Sequence, residues 1–232
     1  MVVCYTDPMN KLGWTLVGIL VLLIAAVAAL ITFWPKASAP VSGTETPAGD
    51  LTGTTIYASG KYGFTLMYPE SASTTENFST FYHLPAEWRA NGAPNATGTP
   101  VIEIVGYSTE SDHSFPRYYT AMVRVGVSKD KNEVAACEKI VKDQGEEALP
   151  DRVIHGVTWK AFSFQSAGMM QYVKGVSYRT VHEGTCYVME KIATGSSYMD
   201  DPDSPDDIPQ TTLDKAYTDL DPIVESFTFS TP

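Results

Sequence analysis

The chain has 232 residues, 44% of them apolar, and carries 27 Asp and Glu against 16 Lys and Arg, a formal net charge of −11. That balance excludes the electrostatic footprint of a nucleic-acid binder or of a protein held on anionic lipid by charge. The imbalance is local: nine acids stand against Lys215 alone between residues 198 and 225.

Residues 1–11 form a short N-terminal tail in which Met9-Asn10-Lys11 reads as a start as natural as Met1. From 12 to 35 there is no charged side chain, and Trp14 and Trp34 bracket an almost wholly apolar stretch. About 20 helical residues cross a hydrocarbon core of roughly 30 Å, and tryptophan suits both water–lipid interfaces. The segment therefore predicts a single transmembrane helix over 12–35, with the lipid bilayer as its partner. It is too long for a cleaved signal, whose apolar stretch is roughly 7–15 residues. The Ala37-Ser38-Ala39 motif beside it is spoiled by Lys36 and Pro40. Lys11 and the α-amino group before the span, against Glu45 and Asp50 after it, point to a cytoplasmic N-terminus in a cell membrane. The C-terminal part would then lie outside.

Residues 36–54 are rich in Ala, Ser, Thr, Gly and Pro and read as a flexible linker with a reach on the order of 20–25 Å. Residues 55–232 form one extracytoplasmic domain, long enough for its own core and free of internal repeats. Phe64, Leu66 and Tyr68 alternate before Pro69 and predict a strand. Further strands are expected at Phe78–Leu84, Val101–Tyr107 and Tyr118–Val127, too closely spaced for helical crossovers, so the sheet is antiparallel. Asp130-Lys131-Asn132-Glu133 has the form of a capping box opening a helix with Val134, Cys137, Ile140 and Val141 on one face. Turns at His155-Gly156 and Glu183-Gly184 predict two hairpins, Arg152–His155 with Val157–Phe164 and Lys174–His182 with Thr185–Ala193. A second helix over Thr212–Ser226, kinked or shortened by Pro222, leads into a last strand at Ser226–Phe229. The sum is an α+β fold, helices packed on an antiparallel β-sheet.

Tyr62-Gly63-Phe64-Thr65-Leu66 with Tyr68-Pro69, the central sheet, and the closing helix into Ile223-Val224-Glu225-Ser226-Phe227 resemble PsbP-like domains, including small bacterial extracytoplasmic relatives. The resemblance spans nearly the whole domain. It implies an α/β/α sandwich used as a binding or assembly module, usually without catalysis, and brings no active-site residues with it.

Among chemistry-bearing residues, Cys137 and Cys186 are an even pair outside the cytoplasm and suggest a disulfide, with two separate buried thiols as the alternative. Asp200, Asp201, Asp203, Asp206 and Asp207 supply enough oxygens for a calcium site, yet they lack the turn glycine and twelfth-position Glu of an EF-hand loop. A solvated acidic loop fits them as well. His182-Glu183-Gly184-Thr185-Cys186 falls short of the zinc-protease motif, which needs a helix and a second histidine. His83, His113 and His155 stand singly, and Trp88 and Trp159 could stack on sugars or fill a core. No nucleophile elbow or phosphate-binding glycine loop occurs.

The leading expectation is a bacterial-type, membrane-anchored binding or assembly module for an envelope protein or glycan, with no catalytic residues, no cofactor and no nucleic acid. The alternatives are an extracytoplasmic hydrolase whose Ser, His and Asp meet only in three dimensions, and a calcium-dependent adhesion element built on the acidic loop.

Overall fold

The computed structural model describes residues 53–91, 96–109, 117–141, 145–196 and 208–230. The expected transmembrane helix over 12–35, most of the linker and the acidic loop 200–207 lie outside the described residues, and among those described no helix is long and apolar enough to cross a membrane.

Among the described residues ten strands form two antiparallel sheets. The smaller has the order β1-β2-β10, from β1 (Thr54–Ser59), β2 (Phe64–Pro69) and β10 (Thr228–Phe229). The larger comprises β3 (Ser73–Thr75), β4 (Thr99–Ser108), β5 (Tyr119–Ser128), β6 (Glu147–Ile154), β7 (Val157–Gly168), β8 (Gln171–His182) and β9 (Thr185–Ser196). Its order is β3-β4-β5-β9-β8-β7-β6. Among the described residues the helices are few and short: α1 (Lys131–Ala136), α2 (Gln210–Thr218) and α3 (Asp221–Glu225).

Alternation along the strands gives the large sheet two buried faces. Tyr119, Ala121, Val123, Val125 and Val127 of β5 with Tyr187, Met189 and Ala193 of β9 point to one of them, the apolar face. The small sheet, α2 and α3 close over it with Phe64, Leu66, Leu213, Leu220, Val224 and Phe227. Phe64 and Phe227 stack at 4.8 Å, and Trp159 meets Phe227 edge-on at 5.0 Å. Each such side chain contributes roughly 1.5–3 kcal/mol by leaving water. The opposite face is covered by residues 78–91, by α1, and by the chain that follows it. The layering is therefore helix and loop, sheet, then helices with a second sheet, which departs from a plain α/β/α sandwich.

Two expectations need correction, and the break expected at Pro222 is present. Phe78–Leu84 is not a strand, and only Phe81 and Leu84 form a bridge. The carbonyls of Ser79 and Pro85 accept instead from the Arg124 guanidinium, so a side chain replaces a strand neighbour. The helix expected over Thr212–Ser226 is interrupted at Asp219–Leu220, because Pro222 has no N–H for the Thr218 carbonyl and suits the first turn of a new helix. In α1 the Asp130 carboxylate caps Asn132 and Glu133 N–H at 2.8 and 3.2 Å, but the reciprocal arm is missing. Glu133 instead binds the buried Arg89 guanidinium at 2.9 Å, and the Asp130 N–H donates to Ser128 Oγ.

The two expected hairpin turns are present, with positive φ at His155 (44°) and Gly156 (78°), and at Glu183 (47°) and Gly184 (70°). A third, which turn chemistry does not reveal, joins β7 to β8 through Met169 (49°) and Met170 (61°).

Candidate functional site

The face opposite the apolar core carries a row of ionic side chains. Register places Glu103 of β4 against Arg124 of β5, Arg124 against Glu190 of β9, and Glu190 against Ser177 of β8. All four are at most 1% exposed. Arg124 Nε donates to Glu103 at 2.7 Å, and its remaining nitrogens reach the Ser79 and Pro85 carbonyls. Ser79 returns two bonds to Glu103, from its N–H at 3.1 Å and its hydroxyl at 2.6 Å. At the other end of the row Arg179 pairs with Glu146 and donates to Ser177 Oγ at 2.9 Å. A buried pair stabilises only when its remaining hydrogen-bonding groups are also met, and here the covering segment meets them.

Glu190 differs from its neighbours in having no directly bonded cation. Its oxygens accept from the Ala90 N–H at 2.8 and 3.0 Å and from the Ser177 hydroxyl at 3.2 Å. Burial pushes its carboxyl above the ordinary range, against the lowering influence of Arg179, the Ala90 N–H and Arg124. Burial likewise lowers Arg124 and Arg89, opposed by Glu103 and Glu133 respectively. Closed off from water, the row can hold the covering segment in place but cannot meet a ligand.

That segment lies close to the sheet because of glycine. A Cβ on Gly126 would fall 1.9 Å from the Trp88 carbonyl oxygen, and one on Gly98 would fall 2.2 Å from the Trp88 ring. Trp88 is thus wedged against Val188, Cys137 and Cys186. The two cysteines are joined there as a disulfide with a Cα separation of 5.7 Å, tying the end of α1 to the central strand β9. Both are fully buried.

A cavity of about 660 Å³ opens between α2 and the β7–β8 hairpin, lined by Arg117, Gln165, Tyr172, Lys174, Gln210 and Leu213. Gln165 and Lys174 face each other across the strands. Burial raises the Tyr172 hydroxyl, opposed by the nearby Arg117. Ser166, next along β7, directs its hydroxyl to the other side, 3.2 Å from His83 Nδ1, while His83 Nε2 lies 3.2 Å from the Gly168 carbonyl. A carbonyl can only accept, so Nε2 carries a proton, and in the neutral ring Nδ1 accepts from Ser166.

The residues singled out in the sequence distribute as follows. Cys137 and Cys186 come together. Asp200, Asp201, Asp203, Asp206, Asp207 and His113 lie outside the described residues, among which no group of three potential metal ligands occurs. His182 stacks on Phe229 at 3.9 Å, and Glu183-Gly184 is a turn, so that stretch lacks the helix a zinc-protease motif requires. Trp88 and Trp159 are buried at 1% and 0% exposure and present no ring to a sugar. The cavity residues form no motif in the sequence, being mostly ordinary polar residues spread over the chain from 117 to 213.

The described domain is thus an antiparallel α+β module with one apolar and one ionic face and an open cavity at one end. No family model and no curated protein matches the chain. Among solved structures it is similar to the solution structure of cyanobacterial PsbP (CyanoP) from Synechocystis sp. PCC 6803, at 10% identity and TM-score 0.37, covering 82% of this chain and 99% of that one. It is also similar to LpqN of Mycobacterium tuberculosis, described as involved in cell envelope biogenesis, at 16% identity and TM-score 0.34, covering 79% and 87%. Both likenesses are distant.

Proposed function

We propose that the chain is a membrane-anchored extracytoplasmic module that binds or helps assemble an envelope partner without catalysis. The observation that carries the reading is the buried Cys137–Cys186 bond, because disulfides persist in oxidising compartments and are rare where thiols are kept reduced. The uncharged stretch 12–35 supplies the anchor and the linker 36–54 the freedom to search. The cavity between α2 and the β7–β8 hairpin supplies the binding surface, with amide and hydroxyl groups for orientation and the faces of Tyr172 and Leu213 for contact.

A photo-crosslinking residue in place of Gln165, in intact cells, tests this directly. The expected result is an adduct with an envelope protein or glycan that is absent when the crosslinker replaces Glu147, which is exposed on the edge strand β6. A membrane-impermeant amine reagent should modify the exposed Lys174 before lysis. Modification only after lysis would overturn the external location, and matching adduct patterns at 165 and 147 would overturn the cavity.

One observation favours a second reading, an extracytoplasmic hydrolase: the Ser166–His83 pair has the tautomer a general base needs. The group orienting His83 is a carbonyl, and among the described residues no carboxylate hydrogen-bonds it. A fluorophosphonate probe that labels the native chain and not Ser166→Ala would establish this alternative.

A further inference from the structure

We propose that the Met169–Met170 turn seats in the interfacial layer of a lipid bilayer, so that the domain touches the membrane at a second point besides its anchor; this rests on the anchored reading above. Each of the three tight hairpins places two residues at positive φ, where a Cβ is disfavoured. Two of them put glycine second, as that backbone favours. The third uses methionine twice and leaves the side chains 78% and 55% exposed. Unusual backbone combined with exposed apolar side chains marks a functional surface better than either feature alone.

The surroundings favour lipid as the occupant. From Ala161 to Val173 the hairpin carries no charged residue, and Lys160 and Lys174 bound that run. Lys174 lies four residues beyond Met170, about 13 Å along an extended strand. Its long stem can keep the ammonium at headgroup level while the turn enters the roughly 5–10 Å that interfacial segments reach. Tyrosines sit just behind the tip. Tyr82 is exposed and packs edge-on to His83 at 4.5 Å, the Tyr118 hydroxyl donates to Gln171 Oε1 at 2.9 Å, and Tyr172 lies opposite Ala167. Tyrosine is enriched at this depth of a membrane. His83, bonded to Ser166 and Gly168, fixes the turn against the covering segment.

The tip is also at the end of the domain that the linker enters. Thr54 pairs with Pro69, and Ser73 four residues on pairs with Val105, near the end of β4. Ser108, Thr120, Thr194 and Gln171 mark that same end in β4, β5, β9 and β8.

The full chain, with Cys4→Ser and Met170→Cys, is reconstituted in phosphatidylcholine proteoliposomes and spin-labelled. Collisions with oxygen and with a water-soluble nickel chelate are then compared. Val153→Cys, exposed at the opposite end, is the aqueous reference, and Ala25→Cys reports on the apolar stretch. The expected result is a severalfold lower nickel accessibility at position 170 than at 153, with oxygen accessibility retained. Equal nickel accessibility at 170 and 153 overturns the proposal. Loss of both collision partners at 170 also overturns it, in favour of a protein partner or a second copy covering the turn. A label at 25 in lipid with one at 170 in water leaves the anchor standing and removes only the tip, whereas an aqueous label at 25 removes the anchor.

Discussion

Met189 and Glu190 are neighbours on β9 and almost equally hidden, at 0% and 1% exposure, yet they enter opposite environments. Met189 joins the aliphatic and aromatic core beneath the small sheet and helices. Glu190 faces a backbone N–H, a hydroxyl and two guanidiniums one strand away on either side. The apolar face is held mainly by contacts of little direction, joined by the Lys191–Asp221 pair and the Tyr119 and Tyr187 hydroxyls, so most of it tolerates adjustment. The ionic face is held by directional bonds to a segment with no ladder of its own, so it specifies where residues 78–91 lie.

The largest test of this contrast is Arg124→Met. It leaves Glu103 buried and uncompensated and removes the donors of Ser79 and Pro85, so chemical denaturation should show a loss of about 3–5 kcal/mol. Adding Glu103→Leu should restore much of it, whereas a second substitution on the apolar face should only add to the loss. Recovery failing in the double variant would show that the row stabilises as well as specifies.

Replacing Cys137 and Cys186 together by alanine should cost somewhat less. Their separation of 49 residues corresponds to roughly 4 kcal/mol in the chain-entropy model, and measured values spread downward from there. The melting temperature of the double variant, compared with the oxidised native chain, checks this. Trp88 emission should shift red if the staple also holds the covering segment.

A smaller effect follows from Glu190. Because its carboxyl is raised in the folded state, its contribution is fully present below the unfolded value of about 4.3 and is lost as pH rises through the folded value. Glu190→Gln keeps an acceptor for Ala90 and removes the titration. The difference in stability between the variant and the native chain should therefore move in the variant's favour as pH rises across that window. A pH-independent difference would mean that Arg124 and Arg179 fully offset its burial.

The smallest change concerns the third hairpin. Met169→Asn with Met170→Gly gives the turn the residues its backbone favours and should raise stability by about 0.5–1 kcal/mol. Thermal unfolding would show no gain if packing of the two thioethers compensates for their backbone.

Much of this architecture is legible in the sequence because it depends on period and on glycine. The alternation of Phe64, Leu66 and Tyr68, the β-branched run of β5 and the turns at Gly156 and Gly184 each have a local cause. The covering segment does not: Phe78–Leu84 has the composition of a strand, and only Arg124, some forty residues away, turns its carbonyls elsewhere. A signal for that face was nevertheless present. Glu103 and Arg124 are each the one charge in a strand of mostly apolar residues, Arg179 and Glu190 share their strands with Lys174 and Lys191 alone among charges, and charges repeated inside neighbouring strands demand partners. The cavity and the Met169–Met170 turn lack even that, since one assembles from distant polar residues and the other breaks the turn rule that would have revealed it.

The pairing of β10 with β2 bears on how the chain reaches its final form. Thr228 and Phe229 lie opposite Thr65 and Phe64, near the two extremes of the domain. A ribosome, or a translocon passing the chain from its N-terminus, delivers β2 long before β10. Phe64 must then wait without Phe227 and Phe229, while the hairpins of the large sheet, made of neighbouring segments, can already close. β10 thus completes a sheet that β1 and β2 begin, and a variant lacking Thr228 and Phe229 would leave those early strands without their final neighbour.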